Sequence, residues 1–185
     1  MILPIYAYGM PVLRKKAEDI TPEYEGLNTL LENMFETMYD SSGIGLAAPQ
    51  IGLPIRLFIV DGTEIEDDPS TKDFKQVFIN AQILEEFDTP WEYEEGCLSI
   101  PFVRANVKRH AKVTIQYMDE NFQQKTETFE GMAARIIQHE YDHIEGVLFT
   151  DRISPMRRRM IQKKLDDISK GRISIDYRMR FPAKK

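Results

Sequence analysis

Gly131-Met132-Ala133-Ala134-Arg135-Ile136-Ile137-Gln138-His139-Glu140-Tyr141-Asp142-His143-Ile144-Glu145-Gly146 is the stretch on which the reading of this chain turns. Met132, Ile136, Ile137 and Ile144 fall on or near one helical face, and a glycine stands at either end. A helix from Gly131 to Gly146 is predicted. Inside it lies His139-Glu140-Tyr141-Asp142-His143. Histidines at i and i+4 lie one turn apart on the same face, so both imidazoles can reach one metal ion. Glu140 stands beside the first of them, where a carboxylate can serve as general base toward an activated water. A shuffled chain of this composition would contain the pattern roughly 0.4% of the time, so chance is a small but real competitor.

On the N-terminal side of this helix the pattern is strand-like. Ile55 to Val60, Gln76 to Asn80, Ile83 to Phe87, Lys112 to Tyr117 and Lys125 to Phe129 are short runs of β-forming residues. The acidic segment from Glu64 to Asp73, with Pro69 and Ser70, reads as an exposed loop. Further out, Thr21-Pro22-Glu23 looks like a helix start, followed by the 3.6-period stripe Leu27, Leu30, Leu31, Met34, Phe35 and Met38 and a stop at Ser41-Ser42-Gly43. Ser154-Pro155 opens a third helix that should end near Gly171. Strands in the middle with helices at both ends predict an α+β fold.

Two histidines need a third protein ligand, with one position left open. Cys97, His110, Asp142, Glu145 and Asp151 are the candidates. His110 sits in a cationic stretch, Lys108-Arg109-His110-Ala111-Lys112, which looks exposed and would repel a divalent ion. Asp142 and Glu145 are angularly offset from the histidine face. A lone cysteine is most often a small buried hydrophobe, but with two histidines short of a ligand the Cys97 thiolate becomes the better choice. A glycine-bearing segment, Gly43-Ile44-Gly45-Leu46-Ala47-Ala48-Pro49-Gln50, allows close backbone approach to a ligand and offers an amide donor in Gln50. It lacks the Gly-Lys-Ser/Thr ending of a phosphate loop.

The chain has 185 residues, 42% hydrophobic and 29% charged, which suits one globular domain spanning residues 1–185 and excludes a wholly disordered chain. One cysteine excludes an internal disulfide framework and fits a reducing compartment. No apolar run approaches the ~20 residues that span a bilayer, and the first residues lack the basic start of a secretory signal. No membrane partner is expected. Charge is uneven: residues 155–185 hold eleven Lys and Arg against three Asp, a net of +8, so the overall −6 leaves −14 on the rest. Residues 155–185 are therefore read as a basic C-terminal helix and tail, either folded back on the acidic body or free to meet a polyanion.

Taken together, Gly43 to Gln50, Glu95-Gly96-Cys97-Leu98-Ser99 and Gln138 to His143 closely resemble the peptide deformylase family, in that order and at family-like separations. Gly9-Met10-Pro11-Val12-Leu13-Arg14 and Gly146-Val147-Leu148-Phe149 extend the resemblance over about residues 9 to 154. The acidic loop, Ile144 in place of the usual leucine, and the segment after Ser154 depart from it. The resemblance implies mostly antiparallel sheets packed around a central helix carrying the two histidines, with helices near both ends. It implies a hydrolase that removes the formyl group from the N-terminal formylmethionine of new polypeptides, in the bacterial cytoplasm. It implies a divalent metal held by Cys97, His139 and His143, usually Fe2+, with Zn2+, Ni2+ or Co2+ able to replace it. Glu140 would be the acid/base, and Gln50 and the Leu98 N–H would face the oxyanion. Ile44, Gly45 and Ile136 would line the substrate site, with the substrate chain adding beside Gly43 to Gly45 like a strand.

Glu95 and Arg104 are a candidate pair behind the site, and the basic tail a candidate contact to ribosomal RNA. Two other readings compete. A zincin-type metallopeptidase shares the histidine motif but takes its third ligand downstream, where no histidine lies. A small zinc-stabilised binding module would close its site with four protein ligands and have no use for Glu140.

Overall fold

A computed structural model describes residues 1–183, so Lys184 and Lys185 of the basic tail lie outside the described residues. The chain runs β1 (Ile5–Tyr6), α1 (Leu27–Asp40), β2 (Gly45–Ala47), β3 (Leu57–Asp61), β4 (Lys75–Phe87), β5 (Trp91–Cys97), β6 (Ile100–Arg109), β7 (Lys112–Met118), β8 (Gln124–Glu130), α2 (Gly131–Ile144), α3 (Pro155–Ser169) and β9 (Met179–Arg180). Five strands form an antiparallel sheet in the order β2-β3-β4-β7-β8, β5 and β6 form an antiparallel hairpin, and β1 pairs in parallel with β9. The fold is α+β and mostly antiparallel.

β3 shows why the sheet carries a helix on each face. Leu57, Phe58, Ile59 and Val60 are all buried, and successive side chains point to opposite faces. Leu57 and Ile59 pack with Leu31, Met34 and Met38 of α1. Phe58 and Val60 pack with Ala133, Ala134, Ile136 and Ile137 of α2. Each such side chain contributes roughly 1.5–3 kcal/mol on burial, and the small alanines let α2 lie close to the sheet. The polar side of α2 meets the hairpin: Arg135 Nη1 donates to Val107 O (3.0 Å) and Gln138 Nε2 to His110 O (3.0 Å). α3 closes the hairpin's far side, burying Ile161, Leu165 and Ile168 among Val103, Ala105, Val107 and Phe149. The helix of the basic tail is thus docked on the body.

Several boundaries differ from the sequence reading. α1 begins at Leu27, not at Thr21-Pro22, because Gly26 adopts a left-handed φ of 75° that cannot continue a right-handed helix. Gln76 to Asn80 and Ile83 to Phe87 are one strand, β4, interrupted by a bulge where Asn80 sits at φ 51°. Asn80 tolerates that conformation, and its amide pairs with Ile20 N (2.9 Å) and Ile20 O (2.7 Å). β5 and β6 were not expected at all; the glutamates of Trp91-Glu92-Tyr93-Glu94-Glu95 mask the alternation. The Glu64 to Asp73 loop is more than a solvated excursion. Asp68 Oδ2 accepts from Met132 N (3.0 Å) and Ser70 Oγ from Ala133 N (3.1 Å), so the loop caps α2 and Thr71 is buried beneath it.

Candidate metal centre

α2 carries His139 and His143 one turn apart, their ring centroids 5.1 Å from each other and their planes at 74°. β5 ends at Cys97, directly opposite. The candidate ligand atoms of Cys97, His139 and His143 all lie within 4.8 Å of one another, and Cys97 Sγ is 3.4 Å from His143 Nε2. A tetrahedral ion with a thiolate at ~2.3 Å and imidazoles at ~2.0–2.1 Å needs donor atoms about 3.3–3.6 Å apart, so the cluster is of the right size. His139 Nδ1 is taken by Glu95 Oε2 at 3.0 Å, leaving Nε2 for an ion. One thiolate and two imidazoles suit iron, zinc, cobalt or nickel and disfavour magnesium or calcium.

Glu140 is buried beside this cluster, and among the described residues its Oε2 has no hydrogen-bond partner. Burial pushes its carboxyl up to about 7, against the opposing pull of His139 and Arg109. Gly45, on the edge strand β2, is what makes room for it. A Cβ at residue 45 would stand 2.7 Å from Glu140 Cδ and 2.8 Å from Cγ. Gln50 is buried next to Cys97. Its Oε1 accepts from Ala47 N (2.9 Å), and because a backbone N–H can only donate, the amide orientation is determined. Nε2 is thereby turned toward Cys97 Sγ (3.5 Å) and Ser99 Oγ (3.3 Å). Ile44, Gly45, Leu98 and Ile136 line the adjoining cavity of about 650 Å³. Every site residue expected from the sequence is therefore in one place.

The other ligand candidates are elsewhere or engaged. His110 Nδ1 lies 3.0 Å from Asp88 O at the hairpin's exposed end. Asp142 pairs with Arg109 and Arg152, Glu145 with Arg56 and Lys16, and Asp151 with Arg14 and Arg158.

The expectation for Glu95 needs correction. Its partners are Arg109 (Nε 2.7 Å, Nη2 2.9 Å), Arg135 Nη1 (2.7 Å) and His139, while Arg104 pairs with Glu94 at the surface. Burial opposes the Glu95 charge, but hydrogen bonds from His139 and Arg109 hold the carboxyl well below its ordinary range. Arg109 also reaches Asp142 (2.9 Å), so a buried chain of charges orients His139 from behind. Sequence reading assigned Arg109 to an exposed cationic stretch. The signal was present: Val103, Ala105, Val107 and Arg109 share one parity of β6, and all four are buried. Arg135 was missed too, although it precedes His139 by one helical turn.

A family model for polypeptide deformylase matches residues 2–159. The chain belongs to the polypeptide deformylase family. It is 53% identical to a peptide deformylase of Christiangramia forsetii and 54% identical to that of Flavobacterium johnsoniae, each match covering 100% of this chain and 98% of the relative. Peptide deformylase 1B of Arabidopsis thaliana superposes with a TM-score of 0.82 at 35% identity, covering 92% of both chains. A peptide deformylase from Legionella pneumophila gives 0.80 at 38% identity, covering 93% of this chain and 98% of that one. Deformylases are metal-dependent hydrolases that remove the formyl group from the N-terminus of new polypeptides, and this deformylase acts on formylated nascent chains.

Proposed function

We propose that Cys97, His139 and His143 hold one Fe2+ ion, that Glu140 moves the protons, and that Gln50 and the Leu98 N–H bind the oxyanion. The observation that carries this reading is the convergence of a β5 thiol and two α2 imidazoles beside a buried carboxyl, one of whose oxygens has no hydrogen-bond partner among the described residues. When bound, the ion supplies Lewis-acid polarisation and acidifies water. The residues do the rest. Glu140 accepts a proton from the attacking water and later delivers it to the leaving amine nitrogen. Water oxygen bonds to the formyl carbon to give a tetrahedral oxyanion, and the C–N bond breaks only as the amine nitrogen takes up the proton, giving formate and a free amino terminus. Gln50 Nε2, already aimed by Ala47, and the Leu98 N–H donate to the carbonyl oxygen as its charge grows.

The formylmethionine side chain fits against Ile44 and Ile136, and the substrate backbone adds along Gly43 to Gly45. β2 is a sheet edge, which supports strand addition there. Residues 1–185 work as one catalytic domain in the bacterial cytoplasm. Arg159, Lys163 and Lys164 are exposed on α3 and suit contact with ribosomal RNA. Reversing those three charges should weaken ribosome association and flatten its salt dependence; unchanged binding counts against the contact.

The central test is anaerobic deformylation of formyl-Met-Ala-Ser by wild type and Glu140→Gln, with metal quantified in both. Formate release by wild type and none by the metal-loaded variant supports the assignment. Equal release by both, or none by metal-loaded wild type, overturns it.

A further inference from the structure

The family match ends at residue 159, yet the chain after α3 returns to the metal centre. Met179 and Arg180 pair with Ile5 and Tyr6, with Ile5 N donating to Arg178 O (2.8 Å) and Ala7 N to Arg180 O (2.9 Å). Met179 and Phe181 pack against the core beneath α3. This anchoring carries Ile175 and Tyr177 to the wall of the cavity that contains Cys97, His139 and Glu140. There the Tyr177 hydroxyl donates to the Leu98 carbonyl at 2.7 Å. The next carbonyl, Ser99 O, accepts from Tyr8 N (2.8 Å), just beyond β1. Both carbonyls of the β5–β6 turn are therefore held by one assembly, made of β1 and the C-terminal segment. The other side of the same turn is Cys97 and the Leu98 N–H.

We propose that Tyr177 is a positioning residue for deformylation: its hydrogen bond to Leu98 O, delivered by the C-terminal segment, holds the Cys97–Leu98 peptide where its N–H meets the oxyanion. A two-residue turn has few backbone torsions, and fixing the carbonyl side of Leu98 restricts how the N–H side can rotate. Tyr177 touches no reacting atom. The C-terminal segment, which carries no motif, is on this view part of the catalytic apparatus. The proposal rests on the Leu98 assignment made above.

Tyr177→Phe removes one hydroxyl and leaves the ring in place, so the chain should fold. The oxyanion forms only in the transition state, so kcat toward formyl-Met-Ala-Ser should fall roughly fivefold with KM within about twofold. Amide hydrogen exchange at residues 97–99 should speed up by a similar factor while β3 and β4 exchange as in wild type. Unchanged kcat, a loss confined to KM, or unchanged exchange at residues 97–99 overturns the proposal. If Tyr177→Phe lowers the melting temperature without altering kcat below the transition, the residue is structural only. Failure of the Leu98 assignment is distinguishable, because exchange at residues 97–99 would then speed up while kcat stayed at the wild-type value, whereas failure of the contact itself leaves exchange unchanged.

Discussion

Glu95→Gln tests whether the buried charges behind His139 support the metal centre. Glu95 accepts four hydrogen bonds, two from Arg109, one from Arg135 and one from His139. The glutamine keeps the shape but loses the charge, and its NH2 group meets donors that it cannot accept from. Breaking a buried ion pair by removing one partner costs about 3–5 kcal/mol. Arg109 retains Asp142 at 2.9 Å, which places the expected loss near the lower end, about 3 kcal/mol. For a domain of this size that is about 6–12 °C in melting temperature. If His139 holds the ion as proposed, losing the carboxylate that orients its imidazole should also weaken metal binding by about 10–100-fold. Thermal unfolding of the loaded protein and competition with a chelator of known affinity measure the two effects. Glu94→Gln is the internal control, since Glu94 and Arg104 are 59% and 63% exposed and such pairs contribute at most ~1 kcal/mol. The reasoning is refuted if Glu95→Gln costs no more than Glu94→Gln and metal affinity changes less than threefold.

Three further outcomes are expected. Gly45→Ala places a methyl against Glu140, so kcat should fall by about a hundredfold or more with metal content retained; near-wild-type turnover would mean that Glu140 can move aside. Chelating the ion from protein poised at about 100 times Kd should remove ~2.7 kcal/mol, or about 5–11 °C, and an unaffected midpoint would argue against a structural contribution of the site. Although burial opposes its charge, Asp151 is held below its ordinary range by Arg14 and by the Leu148 N–H. A depressed carboxyl stabilises the fold above its unfolded value near 3.8 and loses that effect as pH falls below it. Asp151→Asn should then be less stable than wild type by about 1 kcal/mol at pH 7, with the gap closing toward pH 3; a pH-independent gap contradicts the linkage.

Local spacing decided much of this protein before any tertiary contact was known. The period of Met132 to Ile144 specifies a helix, and that helix places His139 and His143 on one face whatever surrounds it, because i and i+4 are neighbours by construction. Leu27 to Met38 and Ser154-Pro155 are legible for the same reason: helix periodicity and caps are written in adjacent residues. Cys97 could be preferred as a ligand from the sequence, since the competing groups were few, but its distance to the histidines could not be read.

What only the tertiary structure decided depends on pairings between distant segments. Whether Arg109 is a solvated cation or a buried partner of Glu95 follows from the register of β5 against β6 and from α2 lying across the hairpin. A side chain's charge is the same in both settings; its environment is not. Glu140 needs Gly45 because an edge strand ninety-five residues upstream passes against its carboxyl, a fact with no local signature. The start of α1 was set by the conformation of Gly26 over the cap residues at Thr21-Pro22, and the bulge within β4 is tied to Ile20, sixty residues away, through Asn80. Tyr177 reaches Leu98 because β9 pairs with β1, joining the two ends of the chain. Contacts of that kind depend on closing long loops, and nothing in the neighbouring residues records them.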